Sequence, residues 1–188
     1  MITVGKNQSK LIPVELYSLN ERHRLDVVLA GENASVEVVG LVLGKGDEVR
    51  ALEAYITHAA PNTKSNVNVR AVLRGKSQFD FRGNVKIEKG ACGADAYLRS
   101  DALLFDEAKM GDDTPALEIL EPDVKAGHAA TVGKVDEQML FYLMSRGLSR
   151  EEAERMLVEG FIAPLRTRLI LARSSQRGST SKIGGQVV

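Results

Sequence analysis

The chain has 188 residues, of which 44% are hydrophobic, with 25 Lys plus Arg against 25 Asp plus Glu. Zero net charge gives no whole-chain field to attract nucleic acid, and a single cysteine, Cys92, excludes an intrachain disulfide or a CxxC site. The first ten residues, MITVGKNQSK, hold no apolar h-region, and no apolar run approaches the roughly 18 residues of a membrane span. A signal peptide and a membrane anchor are therefore not expected, and the cytoplasm is the expected compartment.

Residues 1–35 are weakly patterned, with short strands expected at Leu11–Leu19 and Leu25–Leu29. From Val36 a period of two becomes clear. Leu52, Ala54 and Ile56 alternate with Glu53, Tyr55 and Thr57. Phe79, Phe81, Val85 and Ile87 share one face, while Asp80, Arg82, Asn84 and Lys86 share the other. The strand centres Val36, Leu52, Val67, Phe81, Leu98 and Leu117 follow one another at near-even steps. Short turns such as Gly44-Lys45-Gly46-Asp47 separate them, and no helical pattern lies between, which argues against βαβ units. Near-constant spacing fits a sandwich, a barrel or a β-solenoid, and periodicity alone favours the sandwich.

The period changes at Asp136, a side chain suited to capping a helix. Leu140, Leu143 and Met144 follow at helical spacing, and Gly147 supplies a stop. Ser149-Arg150-Glu151-Glu152 is a capping box for a second helix, whose apolar stripe is Ala153, Met156, Leu157, Phe161 and Leu165. Pro164 is expected to kink or end that helix near Ile162, although Leu165 to Ala172 offers a continuation. The Ser/Gly/Gln/Arg-rich residues 173–188 read as a disordered tail. The expected organisation is a β domain over 1–135, a helical appendage over 136–172 and the tail.

Four segments in order, HAAPNTKS (58–65), FRGNVKI (81–87), TPALEI (114–119) and DVKAGHAATVGKVDEQMLFYLMSRGLSREEA (123–153), resemble the SufB/SufD family of iron–sulfur cluster assembly proteins. The resemblance spans roughly residues 36–170 and is closer to SufD. It implies a mainly β fold, a right-handed parallel β-helix with a small C-terminal helical appendage. It also implies a non-catalytic scaffold that pairs with itself or a SufB/SufD paralogue, and that binds a SufC-type ABC ATPase through its C-terminal helices. Nucleotide-driven movement of the ATPase would then shift the β-helix interface. The chain is shorter than family members and lacks most of their cluster-building residues. Ser100 stands where SufB has Cys, Ala129 where SufB has Glu, and Ala126 where SufD has Cys.

His128 alone matches the family's functional set. Its neutral ring nitrogen suits iron or a nascent cluster, and a hydrogen-bonded strand histidine is the plain alternative. The resemblance implies a transient cluster shared with a partner subunit and none held tightly by this chain alone. Met156, Leu157 and Phe161 are the residues assigned to ATPase docking, beside their alternative role as a buried helix face. Cys92 reads as a small apolar filler rather than a sulfur acceptor. Glu118, Glu121 and Asp123 read as a solvated face. Two other functions stay open: a cysteine-poor paralogue that regulates or caps the complex, and a polysaccharide-acting solenoid enzyme. Low aromatic content (5%) and the absence of Trp weigh against the latter.

Overall fold

The structure is a computed structural model that describes residues 1–18 and 20–177. Ten strands wind into a parallel β-solenoid, followed by two helices. The odd strands are β1 (Ile2–Val4), β3 (Arg22–Leu29), β5 (Val49–His58), β7 (Gln78–Ile87) and β9 (Lys109–Ile119), stacked in that order as one parallel sheet. The even strands form the second: β2 (Ser9–Leu16), β4 (Ser35–Gly44), β6 (Lys64–Leu73), β8 (Asp95–Leu104) and β10 (Lys125–Lys134). Each coil therefore contains one strand of each sheet. One step between strand centres in the sequence is half a coil, and register partners lie two steps apart, as in Val49 with Gln78 and Asp95 with Lys125.

Parallel stacking at this repeat places like side chains over like. Val27, Ile56, Val85 and Leu117 occupy one inward column, and Ile12, Val38, Val67 and Leu98 another. Alternation then turns every second residue of each strand toward a single narrow core, sealed in all but the last coil. The corners repeat as well. At one, Asn7, Asn33 and Asn62 adopt φ of 57°, 60° and 57°, and Gly93 takes the same place at 69°. Asn tolerates this left-handed conformation better than other residues with a Cβ, and the Asn33 amide donates to Asn7 Oδ1 at 3.0 Å. A Cβ on Gly93 would lie 2.5 Å from Asn62 Oδ1, so the ladder gives way to glycine there.

Helix α1 (Glu137–Ser145) starts at Asp136, whose Oδ1 accepts from Gln138 N at 2.8 Å. It ends with Gly147 at φ 98°, whose N–H bonds Met144 O while Leu148 N bonds Leu143 O, the Schellman pattern. Helix α2 (Arg150–Arg177) opens with the expected box: Ser149 N donates to Glu152 Oε2 at 2.8 Å, and Glu152 N to Ser149 Oγ at 3.2 Å.

Two expectations need correction here. Helix α2 does not end near Ile162 but runs through Pro164 to Arg177. Residues 173–177 are thus helical rather than tail, and residues 178–188 lie outside the described residues, as does Leu19 of the expected first strand. The reason is tertiary. Past the proline, Leu165 and Leu169 bury against Val39 and Leu41 on the outer face of the even sheet. The Arg70 guanidinium donates to the Phe161 carbonyl, one residue from the Gly160 carbonyl that Pro164 cannot serve. Helix α2 crosses the sheet from β6 to β4 to β2, tied by Glu154 to Arg74, Arg168 to Glu37 and Arg173 to Glu15. No described helix is long and apolar enough to cross a membrane.

Candidate functional site

Strands β9 and β10 close the solenoid, and each is paired on one side only. The columns that are sealed in earlier coils therefore end in the open. On β10 the row continuing the core is Ala126, His128, Ala130 and Val132, in register with Ala96, Leu98, Ser100 and Ala102. On β9 it is Asp113, Pro115, Leu117 and Ile119, in register with Phe81, Gly83, Val85 and Ile87. Phe81, Val85, Ile87 and Leu98 are fully buried, whereas Ile119, Leu120, Val132 and His128 are exposed.

His128 accordingly occupies the column of Val67 and Leu98 at its exposed end. Its position results from strand alternation and from the lack of a further coil, and it leaves an imidazole free to meet whatever covers this end. Two groups break the apolar row. His128 is one, and Asp113 is the other. Asp113 follows Leu52 and Phe81 in its column, and its Oδ1 is buried without a hydrogen-bond partner. Burial pushes the Asp113 carboxyl above its ordinary pKa, and the neighbouring Asp112 charge adds to the shift. Sequence reasoning missed Asp113. The sole signal was an acid on the apolar face of the strand ending in Thr114-Pro115-Ala116-Leu117-Glu118-Ile119.

The other candidates fall elsewhere. Ser100 is buried one coil inside the end, beneath Ala130. Glu118 faces outward, 3.6 Å from Lys86, and Glu121 accepts from Gly90 N at 2.9 Å. The Asp123 carbonyl accepts from Gly93 N. These acids are not gathered on His128, and among the described residues no group of three or more His, Cys, Asp or Glu could hold a metal. Cys92 is not the core filler expected of it. It sits at the solenoid corner just before Gly93, in the place that Pro61 takes one coil earlier, with its thiol exposed. An inward position was never available, because the corner turns that residue to solvent.

The ATPase-docking candidates are divided. Met156 is 51% exposed, whereas Leu157 and Phe161 are half-buried. The Phe161 ring packs 5.1 Å beneath the Arg70 guanidinium. The larger apolar surface is on α1, where Met139, Phe141, Tyr142 and Met144 are exposed, Phe141 by 74%, and Leu140 alone is buried. The helical stripe of α1 was legible, but which side of it would find a partner within the chain was not.

His58 is also absent from the sequence-based candidates. It is fully buried at the start of a corner, with Nδ1 2.8 Å from Thr63 Oγ1 and Nε2 2.8 Å from Ser65 Oγ. Thr63 donates its own proton to the Ala60 carbonyl at 3.0 Å, so it accepts from Nδ1–H, and Nε2 accepts from Ser65. This is a satisfied structural histidine, and its Asn-Thr-x-Ser context is the corner it fastens.

Similarity to known proteins runs along most of the chain. A family model described as the SUF system FeS cluster assembly SufBD core domain matches residues 4–161. An iron–sulfur cluster assembly SufBD family protein of Mycobacterium bovis is 43% identical over 143 residues, covering 76% of this chain and 17% of the relative. The iron–sulfur cluster assembly protein SufD of Bacillus subtilis is 39% identical over 137 residues, 73% of this chain and 31% of the relative. The chain thus spans less than a third of the length of these curated relatives.

Proposed function

The chain belongs to the SufBD core-domain family of the SUF iron–sulfur cluster assembly system, and from that premise we propose that it is a non-catalytic scaffold subunit. It pairs through the open final coil with a second copy or with a longer SufB/SufD paralogue. Its C-terminal helices bind a SufC-type ABC ATPase, and the cytoplasm is the compartment of this work. The iron–sulfur cluster is cargo, held briefly between subunits.

One observation carries this reading: the core-facing row of the last coil lies open, apolar apart from the His128 imidazole and the Asp113 carboxyl. Such an end calls for a cover, because unpaired strand edges and exposed core columns recruit another chain. A two-fold or pseudo-two-fold pairing there brings His128 close to its counterpart. A neutral imidazole is a competent iron ligand, but two are too few to retain a cluster, and thiolates must come from the partner. On the ATPase side, α2 is tied to the even sheet by Arg74, Glu37 and Glu15. A pull on the helices is therefore transmitted to the strands rather than absorbed by a linker.

The test is His128→Ala, co-purified with a Cys-bearing SufB-type subunit and reconstituted anaerobically. Iron per complex is expected to fall at least severalfold with assembly intact. Unchanged iron in a normally assembled complex overturns the role of His128. The second reading, a regulator or cap that builds no cluster, then takes its place. That reading rests on the lack of any multidentate cluster of metal-binding side chains among the described residues.

A further inference from the structure

Helix α2 touches the solenoid along a seam at Val39, Leu41, Leu165 and Leu169, but its first turns stand off the sheet. Between them lies a cavity of about 580 Å3, within the range of small-ligand sites. Its floor is Leu43 and Val72, register neighbours on the outer face of β4 and β6, and its roof is Val158 of α2. Leu43 is 40% exposed, although it lies under the same helix that buries Val39 and Leu41.

The cavity's charge is one-sided. Lys45, Arg50, Arg74 and Arg155 line it, against Glu151 and Glu154. Arg74 is committed to Glu154 at 2.6 Å and stacks 3.8 Å over Phe105. Lys45 and Arg155 make no close side-chain ion pair among the described residues; Glu48 and Glu152 act on them at longer range, and Glu151 lines the same cavity. Arg50 is the unusual member. It is 1% exposed, donates to Glu48 at 2.5 Å and to the Tyr17 carbonyl at 2.8 Å, and its Nε has no hydrogen-bond partner. A buried guanidinium with an idle N–H, beside two cations without a close partner and an apolar slot, is an arrangement that favours a negative group with a hydrophobic body.

We infer that the wedge between the start of α2 and the even sheet binds a small amphipathic anion, a carboxylate or sulfonate on an apolar body of acyl or aryl type. The apolar part lies on Leu43 and Val72 beneath Val158, and the anionic head meets Lys45 and Arg155, with Arg50 below. Because the roof belongs to α2 and the floor to the solenoid, occupancy clamps the helix to the sheet. This site is separate from the open final coil and does not depend on the scaffold role.

The experiment uses 8-anilinonaphthalene-1-sulfonate as probe and the full chain at low salt, read by fluorescence and by amide shifts in 15N spectra. Saturable one-to-one binding is expected, with shifts centred on Leu43, Val72 and Val158. Octanoate should displace the probe, and 1-octanol and inorganic phosphate should not. Leu43→Asp should weaken binding at least tenfold, and Lys45→Glu and Arg155→Glu severalfold each. Ile170→Asp, in the adjoining cavity lined by Leu41 and Leu169 on the far side of Tyr17, should leave it unchanged. If Leu43→Asp fails to fold, the two surface charge reversals decide alone. Non-saturable binding, equal displacement by 1-octanol, affinity unaltered by both reversals, or an equal loss in Ile170→Asp overturns the site.

Discussion

At the scale of single residues, His58 shows how a buried base couples the fold to pH. Its burial favours the neutral ring, in which Nδ1–H donates to Thr63 and Nε2 accepts from Ser65. Burial drives its pKa from 6.5 down to about 4, with Asp95 opposing. The unfolded chain takes up the proton near pH 6.5, and the folded chain does not until about 4. Stability attributable to His58 is therefore complete above pH 6.5, is lost as pH falls toward 4 and is flat below it. The full loss is about 3 kcal/mol. Urea midpoints between pH 7.5 and 4.5 should show the slope, and His58→Asn should flatten it while lowering stability throughout. At the proposed ATPase face, Phe161→Asp is an ambiguous probe because the ring already packs on Arg70. Met156→Asp, on an exposed side chain, is expected to abolish co-purification with a SufC-type ATPase while leaving circular dichroism unchanged. Retained complex would remove this face from the docking surface.

At the scale of elements, α2 is the part whose behaviour departs from its sequence. An interior proline costs an isolated helix about 3 kcal/mol. Here the apolar seam and the Arg70 donation offset that cost. The ion pairs to Arg74, Glu37 and Glu15 each join an exposed arginine to a part-buried glutamate and contribute about 1 kcal/mol or less each. The seam therefore sets the docking strength. Leu165→Ala should weaken docking by about 2 kcal/mol or more, seen as faster hydrogen exchange in residues 150–177 with the strands unaffected. Raising salt alone should not produce that change. Pro164→Ala should raise the melting temperature, since it returns an N–H to the Gly160 carbonyl. A fall would mean that the proline's geometry is needed for the seam.

At the scale of the whole molecule, the solenoid is finished at its corners and unfinished at its end. Its columns run through consecutive coils and stop at Ile119 and Val132, which remain exposed. Val132→Glu places a charge in that row without disturbing a sealed one. It is expected to lower association, with itself or a paralogue, by at least tenfold in sedimentation experiments, with the β-sheet signal unchanged. A wild-type chain that stays monomeric at micromolar concentration and captures no paralogue would count against the pairing end. Asp113 adds a polar demand to the same surface, because its buried Oδ1 has no hydrogen-bond partner among the described residues.

Much of this was legible in the residues. Strand alternation located each strand centre from Val36 to Leu117 in its own strand, and Asp136, Gly147 and Ser149 marked the helix ends, because these signals depend on neighbours within a few residues. Local pattern did not distinguish a solenoid from a sandwich. That choice rests on whether each strand pairs in parallel with the next but one in sequence, as β4 does with β6 and β5 with β7, and only the resemblance to a known family anticipated it. The tertiary structure alone decided that α2 passes through Pro164, that Cys92 faces solvent at a corner, that Asp113 enters a core column, and that His58 is fastened while His128 is free. Two histidines on strands of similar local pattern differ because one column has another coil above it and the other does not, and burial is a property of the stack rather than of the strand.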